Sequence, residues 1–106
     1  MQSLMKAVLT VLTFTLVFST WSLADGGAST FKAKCATCHG ADGKGETVTG
    51  KTLKVRDLGS ADVQAQSDAD LAGIITNGKD KMPKYDGKLT KDQIGELVNY
   101  IRTLKH

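Results

Sequence analysis

The chain has 106 residues, 24% of them charged and 6% aromatic, and a formal net charge of +3. That length suits one domain with a core too small to be comfortable without a staple or cofactor. The mild positive charge is too weak to point to a nucleic-acid partner.

Lys6 is followed by an uncharged stretch, Ala7 to Phe18, and then by Ser22-Leu23-Ala24 with small residues at its first and third places. A basic start, an apolar middle and a small-residue end make a secretory signal. An uncleaved membrane anchor is the rival, but this stretch is short and interrupted by Thr10, Thr13 and Thr15, whereas a spanning helix wants about 20 mostly apolar residues. Residues 1–24 are therefore expected to be removed, and residues 25–106 to form the working domain, which is not integral to the membrane. Cleavage would take away Met1, Met5, Trp21 and the charge of Lys6, leaving +2, one methionine (Met82), and two histidines (His39 and His106).

No repeat, low-complexity tract or linker divides the remainder, and three helical patterns separated by glycine-bearing loops are expected to form one unit. The first pattern runs from about Gly27 to Cys38, with Gly27, Phe31 and Cys35 four apart on one face. From His39 to Gln66 the chain carries five glycines and no sustained apolar period, which predicts a long irregular loop that must wrap something. Lys51 to Val55 is a candidate short strand. Ser67, with Asp70 three residues on, predicts the start of a second helix with apolar face Leu71, Ile74 and Ile75, and Asn77-Gly78 its end. Pro83 and Asp86-Gly87 keep the next segment out of helix and put Met82 on a loop. Thr90 and Gln93 form a capping box for a third helix, Lys91 to Leu104, buried through Ile94, Leu97, Val98, Ile101 and Leu104. The fold class is all-α.

Chemistry is concentrated at Cys35-Ala36-Thr37-Cys38-His39. A redox dithiol belongs at a helix N-terminus after a strand, where the dipole lowers the first thiol's pKa; Cys35 is expected near a helix C-terminal end instead. A zinc site needs four ligands, and these three residues would have to share an ion with His106 or a carboxylate. A disulfide between Cys35 and Cys38 would close a very small loop, constrain little, and leave His39 unexplained. Covalent haem attachment uses all three residues: each thiol adds to a haem vinyl group and the adjacent imidazole reaches the iron from one side. It also gives the glycine-rich loop something to wrap. For the opposite side of the iron the candidate is Met82, a soft thioether beside the stiffening Pro83. The competing assignments are a gap-filling core methionine with an open iron, or with His106, Lys79 or Lys81 as ligand.

Several separated features together resemble the class I cytochromes c of the small bacterial monohaem type, over Gly27 to Leu104. They are Gly27-x-x-x-Phe31 before the first cysteine, the segments CHGADGKG and MPKYDGKLT, and Leu97-x-x-Tyr100 on the last helix. The resemblance implies a small cytochrome c fold of three main helices with loops around one covalently attached haem c. It further implies that the first and last helices cross, that Cys35 and Cys38 hold the haem, and that His39 and Met82 are its proximal and distal iron ligands. The chain departs from many relatives in having no proline after the haem motif whose carbonyl orients the proximal imidazole, so a carbonyl within Val48 to Gly50 is the candidate for that task. It also lacks a tryptophan past residue 24 to hold a haem propionate, which leaves Arg56, Lys51 or Tyr85.

With both axial positions filled by protein no substrate reaches the iron. The expected function is then one-electron transfer between redox partners in the periplasm or another exported compartment, without catalytic turnover, by a monomeric carrier. Leu53, Val55, Leu58, Leu71, Ile74 and Ile75 are the expected pocket lining. Lys79 to Lys91 holds five lysines and two aspartates, a basic surface around Met82 that would suit an acidic docking face. The alternatives are a haem peroxidase or gas sensor with a labile distal ligand, or a cytochrome subunit of a larger redox complex.

Overall fold

A computed structural model describes residues 23–106. The signal segment expected over residues 1–24 lies outside the described residues except for its last two. The described chain is all-α, with α1 Leu23–Lys34, α2 Ala36–His39, α3 Val48–Leu53, α4 Ala61–Gln64, α5 Asp68–Asn77 and α6 Lys91–Thr103. Its β-type contacts are two isolated bridges, Lys79 with Met82 and Asp86 with Leu89. No described helix is long and apolar enough to cross a membrane.

α1 packs against α6, and the approach is close because Gly27 has no side chain. A Cβ there would stand 2.5 Å from the Glu96 carbonyl oxygen and 3.2 Å from Tyr100 Cβ. One turn on, Phe31 packs its ring 5.0 Å from that of Tyr100. Phe31 and Leu97 are each only 1% exposed; burying two such side chains contributes about 1.5–3 kcal/mol apiece. Val63 from α4, Leu71 and Ile75 from α5, and Ile94, Val98 and Ile101 from α6 complete the core. Helices α1, α5 and α6 are thus the three main helices expected from sequence.

The predicted boundaries hold for α5 and α6. Ser67 Oγ accepts the Asp70 amide at 3.0 Å, and α5 ends at Asn77. Thr90 Oγ1 accepts the Gln93 amide, while Gln93 Oε1 accepts that of Thr90. The first pattern is broken at Cys35 into α1 and α2.

The stretch from His39 to Gln66 is not one irregular loop. Thr47 Oγ1 accepts the Gly50 amide and Ser60 Oγ accepts the Val63 amide, starting α3 and α4. The strand considered at Lys51 to Val55 is displaced by α3, whose end is capped by Lys54 in the left-handed conformation at φ 56°. These helices have six and four residues, too short to show an apolar period. The second of them is held by side-chain fastenings: Arg102 donates to Asp68 Oδ1 and to the carbonyls of Gln64 and Gln66, and Gln64 Nε2 donates to those of Leu58 and Ile101.

Two glycines in helices predict opposite outcomes. Gly27→Ala must push α1 off α6, an overpacking cost of about 1–3 kcal/mol that exceeds the gain of about 1 kcal/mol in helix propensity. Gly95 is exposed on α6, and a Cβ added there would meet nothing within 4 Å, so Gly95→Ala should stabilise by up to about 1 kcal/mol. Urea unfolding of the haem-loaded protein should show a lowered midpoint for the first and a raised one for the second.

Candidate haem site

The Gly27–Phe31 face of α1 continues into the site at the same four-residue interval. The Cys35 amide donates to the Phe31 carbonyl at 2.9 Å and the His39 amide to the Cys35 carbonyl at 3.0 Å. Cys35 and His39 thus follow the buried ring of Phe31, which lies 6.4 Å from the imidazole. Thr47 holds the next segment beneath them by donating to the Cys38 carbonyl at 2.8 Å.

Cys35, Cys38, His39 and Met82 line one cavity of about 320 Å³. All six expected lining residues, Leu53, Val55, Leu58, Leu71, Ile74 and Ile75, are on its wall. The core residues Phe31, Val63, Leu97 and Ile101 also reach it. Sequence reasoning missed Val63 because it lay in the expected loop; Ser60 three residues before it, a good N-cap residue, was the available signal. Arg56 and Tyr85 reach the cavity, whereas Lys51 does not. The Tyr85 hydroxyl is already committed, donating to the Lys34 carbonyl at 3.1 Å.

Among the competing distal ligands, Lys79 and Lys81 line the cavity beside Met82. Met82 also packs against the core, so its packing role and its place at the site coexist. His106 is directed elsewhere: its Nε2 lies 2.7 Å from Asp57 Oδ2 and its amide donates to the Gly59 carbonyl.

The electrostatics disfavour thiol chemistry. Burial, then the neighbouring Cys38, push the Cys35 thiol up to about 11, whereas an attacking dithiol needs a lowered pKa. The two sulfurs are not joined in a disulfide. No group of three His, Cys, Asp or Glu side chains able to hold a metal occurs among the described residues, which leaves the zinc assignment without a ligand set.

Burial lowers the His39 pKa, favouring the neutral imidazole that can offer a lone pair to iron. Its Nδ1 is buried without a hydrogen-bond partner among the described residues, the carbonyls of Val48 to Gly50 included. The Val48 carbonyl accepts the Thr52 hydroxyl, and that of Gly50 accepts the amides of Lys54 and Val55. An apolar hollow with two unpaired thiols, a neutral imidazole and a thioether on its wall is a donor set that fits a covalently held haem.

Comparison with known proteins agrees. The family model described as cytochrome c oxidase, cbb3-type, subunit III matches residues 22–101. Cytochrome c6 of Nostoc sp. is 40% identical over 91 residues, covering 83% of this chain and 79% of that protein. Cytochrome c6 of Synechococcus sp. is 36% identical over 106 residues, covering 92% and 91%. The solved structure of the KustC0563 c-type cytochrome superposes with a TM-score of 0.71 at 33% identity, covering 76% of this chain and 98% of that one. The chain belongs to the c-type cytochromes. It is a small all-α member with one covalently bound haem c, and it carries electrons to and from redox partners rather than turning over a substrate.

The wall segment Val55 to Leu58 is anchored by Asp57, whose carboxylate accepts the Gly59 amide and meets His106. Although partial burial opposes it, hydrogen bonding to His106 and Gly59 holds the Asp57 pKa below its ordinary value. A carboxylate with a lowered folded pKa stabilises the fold above its unfolded pKa, and loses that contribution as pH falls through the folded value. Asp57→Asn should therefore lower the thermal midpoint at neutral pH and flatten its decline as pH falls below about 4, the ordinary aspartate value, toward the lower folded pKa.

Proposed function

We propose that Cys35 and Cys38 form the thioether links, that His39 and Met82 are the axial ligands, and that residues 25–106 act as a monomeric carrier in the periplasm or another exported compartment after removal of residues 1–24. The observation that carries the ligand assignment is the convergence of all four side chains on one apolar cavity. When bound, the haem supplies one-electron exchange between ferric and ferrous iron. The chain's part is to keep that exchange easy. Two protein ligands close the iron to substrate, and helices α1, α5 and α6 fix the wall, so little rearrangement accompanies electron arrival or departure. The apolar lining keeps water out, and the soft thioether of Met82 favours the reduced form. Export is supported by the signal pattern before Ala24. A monomer is supported by the described surface, where Val48 is the exposed large apolar side chain.

The optical spectrum of the haem-loaded protein tests the ligands. It should show haem that survives acid extraction and, when oxidised, the far-red sulfur-to-iron charge-transfer band. Met82→Ala should abolish that band and allow carbon monoxide to bind the reduced protein. Retention of the band would exclude Met82 as the ligand.

Lys79, Lys81, Lys84, Lys88 and Lys91 are all exposed, and the first two also border the cavity. This basic rim is read as a docking face for a partner with an acidic surface. Replacing Lys81 and Lys84 by glutamate should slow association with an acidic redox partner by about tenfold or more at low salt, with the difference shrinking as ionic strength rises. Stopped-flow rates across a salt series, on protein whose monomeric state is established by sedimentation, check this. An unchanged rate and salt slope would remove the steering role.

A further inference from the structure

The segment that carries Met82 is fastened on both sides. Before it, a tight turn is closed by the Met82 amide donating to the Lys79 carbonyl at 2.9 Å and the Lys79 amide to the Met82 carbonyl at 3.2 Å. After it, Tyr85 is the anchor. The Tyr85 amide donates to the Ile75 carbonyl on α5, and its own carbonyl accepts the amides of Lys88 and Leu89. Its hydroxyl spans 51 positions of sequence to donate to the Lys34 carbonyl at 3.1 Å.

Lys34 is the last residue of α1 and immediately precedes Cys35. The carbonyls of a helix's last turn have no partner within the helix, so this one is available to an outside donor. Tyr85 therefore links the methionine segment to the cysteine-bearing end of α1, while its ring forms cavity wall between them. The Tyr100 hydroxyl, by contrast, makes no hydrogen bond among the described residues, and its ring serves packing on Phe31.

We infer that the Tyr85 hydroxyl is a positioning group for the distal ligand: its bond to the Lys34 carbonyl fixes the spacing between the Met82 side and the thiol side of the cavity. The inference rests on the assignment of Met82 as ligand. Without the tether, the segment can withdraw the thioether from the iron at a smaller cost. One hydrogen bond of this kind is equivalent to about a three- to tenfold change in such an equilibrium.

The test compares Tyr85→Phe, which keeps the ring, with Tyr100→Phe, which loses a hydroxyl that has no partner among the described residues, and with Met82→Ala. Each is titrated with imidazole in the oxidised haem-loaded form while the charge-transfer band is followed, and each is unfolded thermally. The expected result is imidazole affinity raised about three- to tenfold in Tyr85→Phe, with a weakened band, and parental affinity and band in Tyr100→Phe. A purely structural role would lower the unfolding midpoint of Tyr85→Phe without changing the affinity, and would overturn the inference. So would equal effects in the two tyrosine variants. If the band survives in Met82→Ala, the ligand assignment fails and the inference falls with it. If that band is lost while Tyr85→Phe binds imidazole like the parent, the tether alone is refuted.

Discussion

The contact on which the rest of the structure depends is that of Gly27 with the backbone of α6. A side chain at position 27 would collide with the Glu96 carbonyl, so the separation of the two helices is set by main chain against main chain. Phe31 enters the resulting space, its ring 5.0 Å from that of Tyr100 and 6.4 Å from the imidazole of His39. Positions 27, 31, 35 and 39 recur at one helical interval, and the hydrogen bonds from Cys35 to Phe31 and from His39 to Cys35 carry the register across the break between α1 and α2. The proposed haem-holding residues are thus an extension of a packing contact.

A second constraint is the shortage of apolar side chains. The described core contains eight buried apolar residues, and several of them, Phe31, Val63, Leu97 and Ile101 included, also face the cavity. Facing an unfilled hollow, their inner surfaces would lack partners for dispersion contact. A large apolar ring held covalently at that place supplies the missing contacts. Folding and cofactor binding then draw on the same surface, which is why so short a chain can leave so much of its interior to a group it does not encode.

Legibility followed the length of the elements. Helices α5 and α6 could be read because an apolar period and a capping residue coincided at Ser67 and at Thr90. The ligand candidates could be read because two cysteines, an adjacent histidine and a methionine beside a proline leave few chemistries. What escaped was the organisation of residues 40–66. There Thr47 and Ser60 cap helices too brief for periodicity, and the wall is held by contacts such as Arg102 to the Gln64 and Gln66 carbonyls, 38 and 36 positions away. Nothing local in Gln64 or Gln66 announces that Arg102 will arrive. Tyr85 was similarly half legible: the sequence offered it as a propionate contact, but not that its hydroxyl donates to the Lys34 carbonyl at the end of α1.

On the proposed ligation, the unpartnered Nδ1 of His39 also bears on the potential. A histidine ligand whose second nitrogen donates to a carboxylate or carbonyl becomes more basic and gives more electron density to its metal. Here Nδ1 is buried with no hydrogen-bond partner among the described residues. A ligand imidazole without such a partner would lack that added basicity. A thioether opposite it and an apolar lining act in the same direction, each favouring the less charged, reduced iron. On that ligation the unpartnered Nδ1, the thioether and the apolar lining would together favour holding the electron.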